Sequence, residues 1–413
     1  MWGRKPPTLA GSFKIAPSGK GAFPRPGHDR RAEADASQTA LRSRSCAISR
    51  PVITAWARTP FQPAQSGALA AIRADDLAAV AIAELIARSG IEPSAVEDVL
   101  LGCACQAPQQ SSDVARTAAL LARLPVEVGG LTVNRSAGSS MAAIHIAAAN
   151  IVMGAGAAFV CGGVDSMSGW QLHGTGQVPN RRVLEAYAAM SAEAIAQRHG
   201  ISRADQERFA RSSHQKAAAA QLEGRLAQEL VAVRTMSGLV DTDGCIRPSS
   251  REDLSVTTQL AEDATTSAPA ADGAAAVLVV SDACASSYGA DILARIRSVA
   301  VCGCAPDNAG MAAVPATQKA LERAGLTIAD IDVVELDEVF ASQALACLRE
   351  LNIPPEKVNL DGGAIALGNP EGATGARITA KAAQIMRRGG KAFALAAQSI
   401  RGGQGIAIVL EAV

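Results

Sequence analysis

A turn with the geometry of a nucleophile site has alanine where the nucleophile would lie. Residues 131–145 read LTVNRSAGSSMAAIH, which predicts a strand ending near Val133, a polar turn, and a small-residue helix that begins near Gly138. Backbone N–H groups at the start of a helix, together with the helix dipole, stabilise negative charge in such a turn. A cysteine there would be an activated thiolate, but Ala137 has only a methyl group.

Polar residues near this turn are open to more than one interpretation. Ser136 either caps the following helix, the usual role of a serine at such a position, or replaces the missing nucleophile. His145 is predicted to be a hydrogen-bonded core histidine, and His214 a residue on a helix surface. Structural hydrogen bonding is predicted for three polar residues at strand ends, namely Asp165, Glu338 and Gln398.

The composition argues against several classes of function. Lys plus Arg and Asp plus Glu both total 39, so no net charge favours nucleic acid or an anionic membrane as a partner. The nine cysteines lie mostly in apolar segments, which predicts reduced, buried thiols and a cytoplasmic location. The C-x-C pairs are too closely spaced for a zinc site, so no metal is expected. The Ala-rich segments contain glycines and are interpreted as core helices, not membrane spans.

The elements that must position the turn alternate between strands and helices. Apolar runs at 52–56, 96–105 and 157–162 predict buried strands. Apolar residues at helical spacing predict helices over 75–89 and 139–153. This alternation indicates an α/β fold with a buried sheet.

Sequence landmarks in the first half of the chain recur in the same order in the second half. Val133-Asn134 corresponds to Val358-Asn359, and GAAFV at 156–160 corresponds to GKAFA at 390–394. Nearly equal offsets indicate an internal duplication. We therefore predict an N-terminal half over 46–167, a C-terminal half over 280–413, and between them a segment, 168–279, that forms a loop domain with helices at 183–199 and 203–223 and then returns to the N-terminal half.

Residues 1–45 differ in composition from the rest of the chain. They contain nine Lys or Arg residues against three acids, with closely spaced Pro and Gly and no apolar periodicity. This pattern predicts a disordered basic extension. A transit peptide is the alternative, and it would place the protein in the mitochondrial matrix instead of the cytoplasm.

From Arg58 to its C-terminus the chain resembles the thiolases, a family of acetyl-CoA C-acyltransferases. The motifs that carry the resemblance include VEDVLLGCACQ, GSSMAAIHIAA, GGVDSMS, SHQKAAAAQ, GGAIALG and GGQGIAIVLE. The resemblance implies a layered αβαβα fold built from two duplicated halves, with a loop domain that is shortened here. It also implies a homodimer or homotetramer that takes acyl-CoA thioesters, with no cofactor other than CoA as a ligand.

The resemblance assigns catalytic roles to four positions, and all four are substituted in this chain. Thiolases have a nucleophilic cysteine at the position of Ala137 and an activating histidine at the position of Asn369. They have a second cysteine, which moves the α-proton, at the position of Ser399. An asparagine that orients an oxyanion-hole water corresponds to Asp337.

The chemistry of the four substitutions argues against standard thiolysis or Claisen condensation. Ala137 has no lone pair with which to attack a thioester, and Ser399 is a far weaker base than a thiolate. Asn369 cannot accept a proton near neutral pH, although its amide N–H can still donate to an oxyanion. Asp337, when ionised, would repel a developing oxyanion.

The segments that the resemblance associates with CoA are also altered. The stretch after Met167 and the loop at 266–270 are both shorter than in thiolases. Ser267 and Arg182 are the candidate CoA-binding residues. Arg182, with the adjacent Asn180 and Arg181, either contacts a phosphate group or lies in a solvated loop.

Two classes of function follow. The first is a pseudothiolase that binds acyl-CoA without turnover, or that pairs with itself or with an active thiolase in a hetero-oligomer. The second is an acyltransferase or hydrolase with a changed mechanism that uses Ser136, Ser399 or Asp337. An engineered inactive mutant is a third possibility, which the shortened loops disfavour. We favour the pseudothiolase.

Overall fold

The structure, a computed structural model, describes residues 49–105, 107–110, 113–173, 192–247 and 265–413. The predicted basic extension at 1–45 lies outside the described residues, as do Arg182 with its two neighbours and the beginning of the helix predicted over 183–199. The described residues belong to one unit, Ser49–Val413.

The first half of the chain alternates strands and helices, as predicted. Its elements are β1 (Pro51–Arg58), β2 (Gln62–Pro63), α1 (Ala74–Ser89), β3 (Asp98–Gly102), α2 (Val114–Leu121), β4 (Gly129–Val133), α3 (Ser139–Met153), β5 (Ala158–Ser166) and α4 (Met167–His173). The middle segment then contributes α5 (Ala192–His199), α6 (Arg203–Leu222), the short hairpin of β6 (Val233–Thr235) and β7 (Gly238–Val240), and the long strand β8 (Ala271–Ser281).

The second half repeats the alternation with fewer strands. Its elements are α7 (Asp282–Ser287), β9 (Ala294–Gly303), α8 (Ala313–Ala324), β10 (Val333–Leu336), α9 (Ala341–Glu350), α10 (Ala364–Leu367), α11 (Glu371–Arg388), β11 (Phe393–Ile400) and β12 (Gln404–Glu411).

The main sheet consists of two wings with the same strand order. It contains ten strands in the order β10-β11-β12-β9-β1-β8-β5-β3-β4, with β2 paired to β8. The wings meet where β1 pairs with β9 through two residue pairs. From that junction outward the order is β1-β8-β5-β3 in one wing and β9-β12-β11-β10 in the other. The boundaries predicted for the halves from sequence stay predictions.

Helices and sheet wings alternate in five layers. One core cluster combines α3 and α11 with side chains from both wings, among them Leu100 and Ile408, so these two helices form the middle layer. A second cluster joins α1 and α2 to the outer face of the first wing. A third joins α8 and α9 to the outer face of the second wing. The predicted αβαβα arrangement is confirmed.

Two strands differ in length from the sequence prediction. The apolar run at 96–105 forms a strand only over Asp98–Gly102, because the backbone N–H of Cys105 donates to the Asp165 carboxylate instead of to a neighbouring strand. The run at 157–162 continues as a strand to Ser166 because it pairs with β8 over its whole length.

One stretch among the described residues is long and apolar enough to cross a membrane. It is Ser136–Met153, which contains α3. This helix forms part of the middle layer and most of the stretch is buried inside the protein. A core helix meets the same length and hydropathy criteria as a membrane span, so the stretch is weak evidence for one.

Candidate active site

A cavity of about 320 Å³ lies where the ends of several strands and helices meet. Three of the four sequence-predicted positions, Ala137, Asn369 and Ser399, line it, although they lie far apart in the chain. The lining also contains apolar side chains and a charged pair; the remaining lining residues are Ile195, Gly310, Val339, Phe340, Gln343, Glu371 and Arg401.

The turn that contains Ala137 is held by its own side chains. Ser136 adopts a left-handed backbone with φ of 49°, and its N–H donates to Asn134 Oδ1 at 2.9 Å. Ser139 Oγ accepts a hydrogen bond from the N–H of Arg135 at 2.8 Å. These bonds keep the turn open at the start of α3 and leave the Ala137 methyl group against the cavity.

The cap role predicted for Ser136 is wrong. The residue that precedes α3 is Gly138, and no side chain caps this helix. The positive φ of Ser136 places it in the turn before the cap position, so its side chain does not reach the first helical N–H groups. Ser136 is also absent from the residues that line the cavity.

Asn369 presents an amide to the cavity in a fixed orientation. Thr374 Oγ1 donates to Asn369 Oδ1 at 2.6 Å, and the backbone N–H of Asn369 donates to the carbonyl oxygen of Pro269 at 2.9 Å. With Oδ1 occupied, the Nδ2 group remains as the donor on the cavity side. An amide in this place can donate to a carbonyl oxygen but cannot act as a base near neutral pH.

The hydroxyl of Ser399 is already engaged in the protein. It donates to the carbonyl oxygen of Gly310 at 2.8 Å and accepts from the N–H of Ala313, at the start of α8, at 3.0 Å. Its proton is therefore engaged by the carbonyl oxygen of Gly310. Behind it lies the thiol of Cys347, which is free and buried, as predicted for the cysteines in general. Burial raises the pKa of this thiol to about 12, so the thiol stays protonated.

Asp337 lies behind the cavity wall and does not line the cavity. Its side chain is fully buried, and Oδ2 accepts from Gln398 Nε2 at 3.4 Å. The same Nε2 donates to the carbonyl oxygen of Ala137 at 3.2 Å. Burial raises the pKa of Asp337 to about 6, an effect opposed by the positive charge of Arg377. The structure thus links Asp337 to Ala137 through Gln398, as the predicted structural role of Gln398 implies.

A charged pair in the cavity wall is the feature that sequence reasoning missed. Arg401 forms an ion pair with Glu371, and both side chains line the cavity. Glu371 is the first residue of α11, and Arg401 follows β11. Glu371 lies two residues after Asn369, and Arg401 lies two residues after Ser399. This proximity to two predicted site positions was the signal in the sequence that could have identified the pair.

Asp165 and Glu338 have the structural roles predicted for them. Burial raises the pKa of Asp165 to about 7. Its carboxylate accepts from the backbone N–H of Gly372 at 2.6 Å and from Gln110 Nε2 at 3.1 Å. The Glu338 carboxylate accepts hydrogen bonds from three described donors, namely Ser213 Oγ, Asn359 Nδ2 and the N–H of Ile365.

The two histidines differ from their predictions. His214 is buried, not on the helix surface, and its Nδ1 accepts from the N–H of Arg247 at 3.2 Å. It is buried because α6 packs against α10. His145 lies in α3, but within the described part of the chain its buried Nε2 has no hydrogen-bond partner. Burial lowers the pKa of His145 to about 3, so this ring is neutral near pH 7.

Of the two candidate CoA-binding residues, only Ser267 belongs to the residues that the structure describes. Ser267 is half-buried and forms a β-bridge with Phe340, which lines the cavity. Arg182 lies outside the described residues. Over the ranges that the structure describes, no group of three His, Cys, Asp or Glu side chains has the arrangement of a metal site.

Comparison with known proteins accounts for almost the whole described unit. Residues 51–283 match the family model described as "Thiolase, N-terminal domain", and residues 290–412 match "Thiolase, C-terminal domain". The chain belongs to the thiolase family. The first match ends and the second begins in the segment between β8 and β9, where the chain passes from one wing of the sheet to the other.

Similar members of the thiolase family align with most of the chain. The 3-ketoacyl-CoA thiolase of Shewanella sp. (strain MR-7) is 42% identical over 383 residues, which span 88% of this chain and 99% of the relative. Proteins with the same name from Shewanella denitrificans and Erwinia tasmaniensis are each 43% identical over 383 residues, with the same coverage. The aligned residues thus span nearly the whole length of these relatives.

Proposed function

We propose that this protein binds acyl-CoA thioesters at the cavity but does not catalyse thiolysis or Claisen condensation through a covalent acyl-enzyme. The single observation that carries the proposal is the methyl group of Ala137 in the cavity wall at the start of α3. A thioester held there has a hydrogen-bond donor beside it and no atom to attack it.

The other substituted positions support the same interpretation. Asn369 can hold a thioester carbonyl oxygen through Nδ2 but cannot carry a proton from a nucleophile. The Ser399 hydroxyl is fixed between Gly310 and Ala313, and the thiol of Cys347 behind it is protonated and buried. A changed mechanism through Ser136 has no matching geometry, because Ser136 does not line the cavity.

The cavity itself supports retained binding. Its volume of about 320 Å³ lies in the range of small-ligand sites, and apolar side chains of Ile195, Val339 and Phe340 line it beside the amide donors. Ile195 lies in α5, whereas Val339 and Phe340 are adjacent residues just before α9, so only folding brings Ile195 next to the other two. The names of the similar proteins support a 3-ketoacyl-CoA or a related thioester as the ligand.

We also propose that the protein associates with a second copy of itself or with an active thiolase. The support is β4, the last strand at one end of the sheet, which carries the exposed Leu131. Exposed apolar side chains of the preceding segment lie near in sequence, namely Leu120, Leu121 and Val126. A terminal strand with exposed apolar residues is a typical site of self-association. Light scattering of the wild type and of Leu131→Asp tests this, since loss of the oligomer is expected in the variant.

One set of assays tests the catalytic part of the proposal. The purified protein is incubated with acetoacetyl-CoA and free CoA while thioester loss is followed, and CoA-thioester affinity is measured by calorimetry. We expect measurable affinity without turnover. The variant that combines Ala137→Cys, Asn369→His, Ser399→Cys and Asp337→Asn should gain turnover, because it returns a nucleophile, a base and a proton carrier to an intact pocket.

A matched variant distinguishes turnover that depends on the restored cysteine from a nonspecific effect of the four substitutions. The same combination with Ala137→Ser in place of Ala137→Cys should remain far less active, because an unassisted hydroxyl is the weaker nucleophile. Wild-type turnover that is abolished by Ser136→Ala or Ser399→Ala would overturn the proposal in favour of a hydrolase or acyltransferase with a changed mechanism. Absence of binding to any CoA thioester would overturn the binding role.

A further inference from the structure

We infer that the free carboxylate oxygen of Glu371 selects CoA thioesters with a hydroxyl group at C3 of the acyl chain over the corresponding 3-ketoacyl thioesters. The inference rests on the proposed binding of CoA thioesters and specifies the acyl group. It is carried by a carboxylate in the cavity wall that has one oxygen engaged by the protein and one oxygen available to a ligand.

The two oxygens of the Glu371 carboxylate have different surroundings. Oε2 accepts a hydrogen bond from Arg401 Nη2. Oε1 has no hydrogen-bond partner among the described residues, and it is not one of the buried atoms that lack a partner. The Glu371 side chain is 18% exposed and lines the cavity. Oε1 is therefore an acceptor that a bound ligand can reach.

Two other polar side chains of the wall have their donors engaged within the protein. The Ser399 hydroxyl already donates to a backbone carbonyl group at 2.8 Å. Gln343 Nε2 lies 3.5 Å from Ser399 Oγ and 3.5 Å from Cys347 Sγ. Asn369 Nδ2 remains as the donor on the cavity side, and in the proposed complex it holds the thioester carbonyl oxygen. A ketone oxygen next to Glu371 therefore meets an acceptor and none of these donors.

The oxidation state of C3 decides how an acyl group meets this carboxylate. A hydroxyl group at C3 can donate to Oε1, and a hydrogen bond to a carboxylate is stronger than one between neutral groups. A ketone has no proton to donate, so it brings two acceptors together and takes water from the carboxylate without a hydrogen bond in return. Asn369 and Glu371 lie two residues apart and both line the cavity, so one short acyl group can contact both. The site thus fits a 3-hydroxyacyl thioester.

Three thioesters with the same four-carbon acyl chain test the inference by calorimetry with the full-length protein. Acetoacetyl-CoA has a ketone at C3, each enantiomer of 3-hydroxybutyryl-CoA has a hydroxyl group there, and butyryl-CoA has neither. We expect the wild type to bind the better enantiomer of 3-hydroxybutyryl-CoA at least about tenfold more tightly than acetoacetyl-CoA. Equal affinity, or tighter binding of acetoacetyl-CoA, would overturn the inference and leave the proposed function standing. Binding of none of the three thioesters would overturn both.

A substitution of Glu371 tests whether its carboxylate is the source of the preference. Glu371→Gln provides an amide that can donate to a ketone as well as accept from a hydroxyl group, so the preference should fall below about twofold. Its affinity for butyryl-CoA, which has no oxygen at C3, should stay within about twofold of wild type. Glu322→Gln makes the same chemical change at an exposed glutamate that does not line the cavity, so it should keep the full preference. A preference that survives Glu371→Gln, or that is lost equally in Glu322→Gln, would overturn the inference.

Discussion

The side-chain amide of Gln398 donates a hydrogen bond to the backbone carbonyl oxygen of Ala137 across 3.2 Å. Gln398 lies in β11, one residue before Ser399, and Ala137 lies in the turn before α3. The bond therefore connects the segment that contains Ser399 with the turn that contains Ala137. Interactions of this kind hold the cavity wall through the backbone of Ala137 and do not depend on its side chain.

Removal of the hydroxyl that orients Asn369 should weaken ligand binding. Thr374→Val has nearly the same volume but lacks the donor to Asn369 Oδ1, so the amide is free to rotate and Nδ2 is no longer held toward the ligand. We expect about a fivefold loss of affinity for acetoacetyl-CoA by calorimetry, corresponding to one neutral hydrogen bond. Thr374→Ser keeps the hydroxyl and should bind like the wild type; equal loss in both variants would contradict the orienting role.

Asp337→Asn should change how stability depends on pH. The pKa of Asp337 is raised from 3.8 to about 6 by burial, so on raising the pH the unfolded chain loses this proton before the native protein does. The wild type therefore loses stability as the pH rises from about 4 to about 6, and the non-titrating asparagine does not. Urea unfolding should show Asp337→Asn gaining on the order of 2 kcal/mol relative to wild type between these pH values. Parallel pH profiles for the two proteins would contradict this.

Lys381→Met should destabilise the protein more than loss of an exposed ion pair. Lys381 is fully buried, and its Nζ contacts the Glu229 carboxylate and lies 3.4 Å from Asp361 Oδ2. Without the ammonium group, buried carboxylates lose a partner, and we expect a loss of about 3–5 kcal/mol in the free energy of unfolding. Arg208→Ala, which removes an exposed pair with Asp205, should cost less than about 1 kcal/mol. Similar losses in the two variants would argue against a role for burial.

Gly375→Ala should disturb the middle layer, where α3 and α11 approach closely. A Cβ atom on Gly375 would lie 2.6 Å from the backbone nitrogen of Met141 and 2.7 Å from Gln398 Oε1. The helices must then separate, which should lower the free energy of unfolding by about 1–3 kcal/mol in a denaturant titration. At Gly303 the nearest atom to such a Cβ is 3.9 Å away, so Gly303→Ala is the matched control. Equal stability of Gly375→Ala and wild type would contradict the prediction, because it would show that α3 and α11 can separate without loss of stability.

Several elements were predictable because their signals are local. The helix predicted over 139–153 is observed as Ser139–Met153, with Gly154 in the left-handed conformation that ends it. Gly90 ends α1 in the same way. Periodicity and terminal glycines report on neighbouring residues, so one stretch of sequence contains the whole signal. The strand at β3 was predicted too long because its end depends on Asp165, which is remote in the chain.

The sequence by itself determined the α/β alternation, the thiolase resemblance and the identity of the residues at the four positions to which the resemblance assigns catalytic roles. Only the tertiary structure decided that the Ser399 hydroxyl is held by Gly310 and Ala313, that Asp337 lies behind the wall, and that an ion pair of Arg401 and Glu371 lines the cavity. The type of a residue determines which of its atoms can react, and the sequence states that type at each position. Which atoms meet depends on contacts between distant segments, and these contacts form only when the two wings close around α3 and α11.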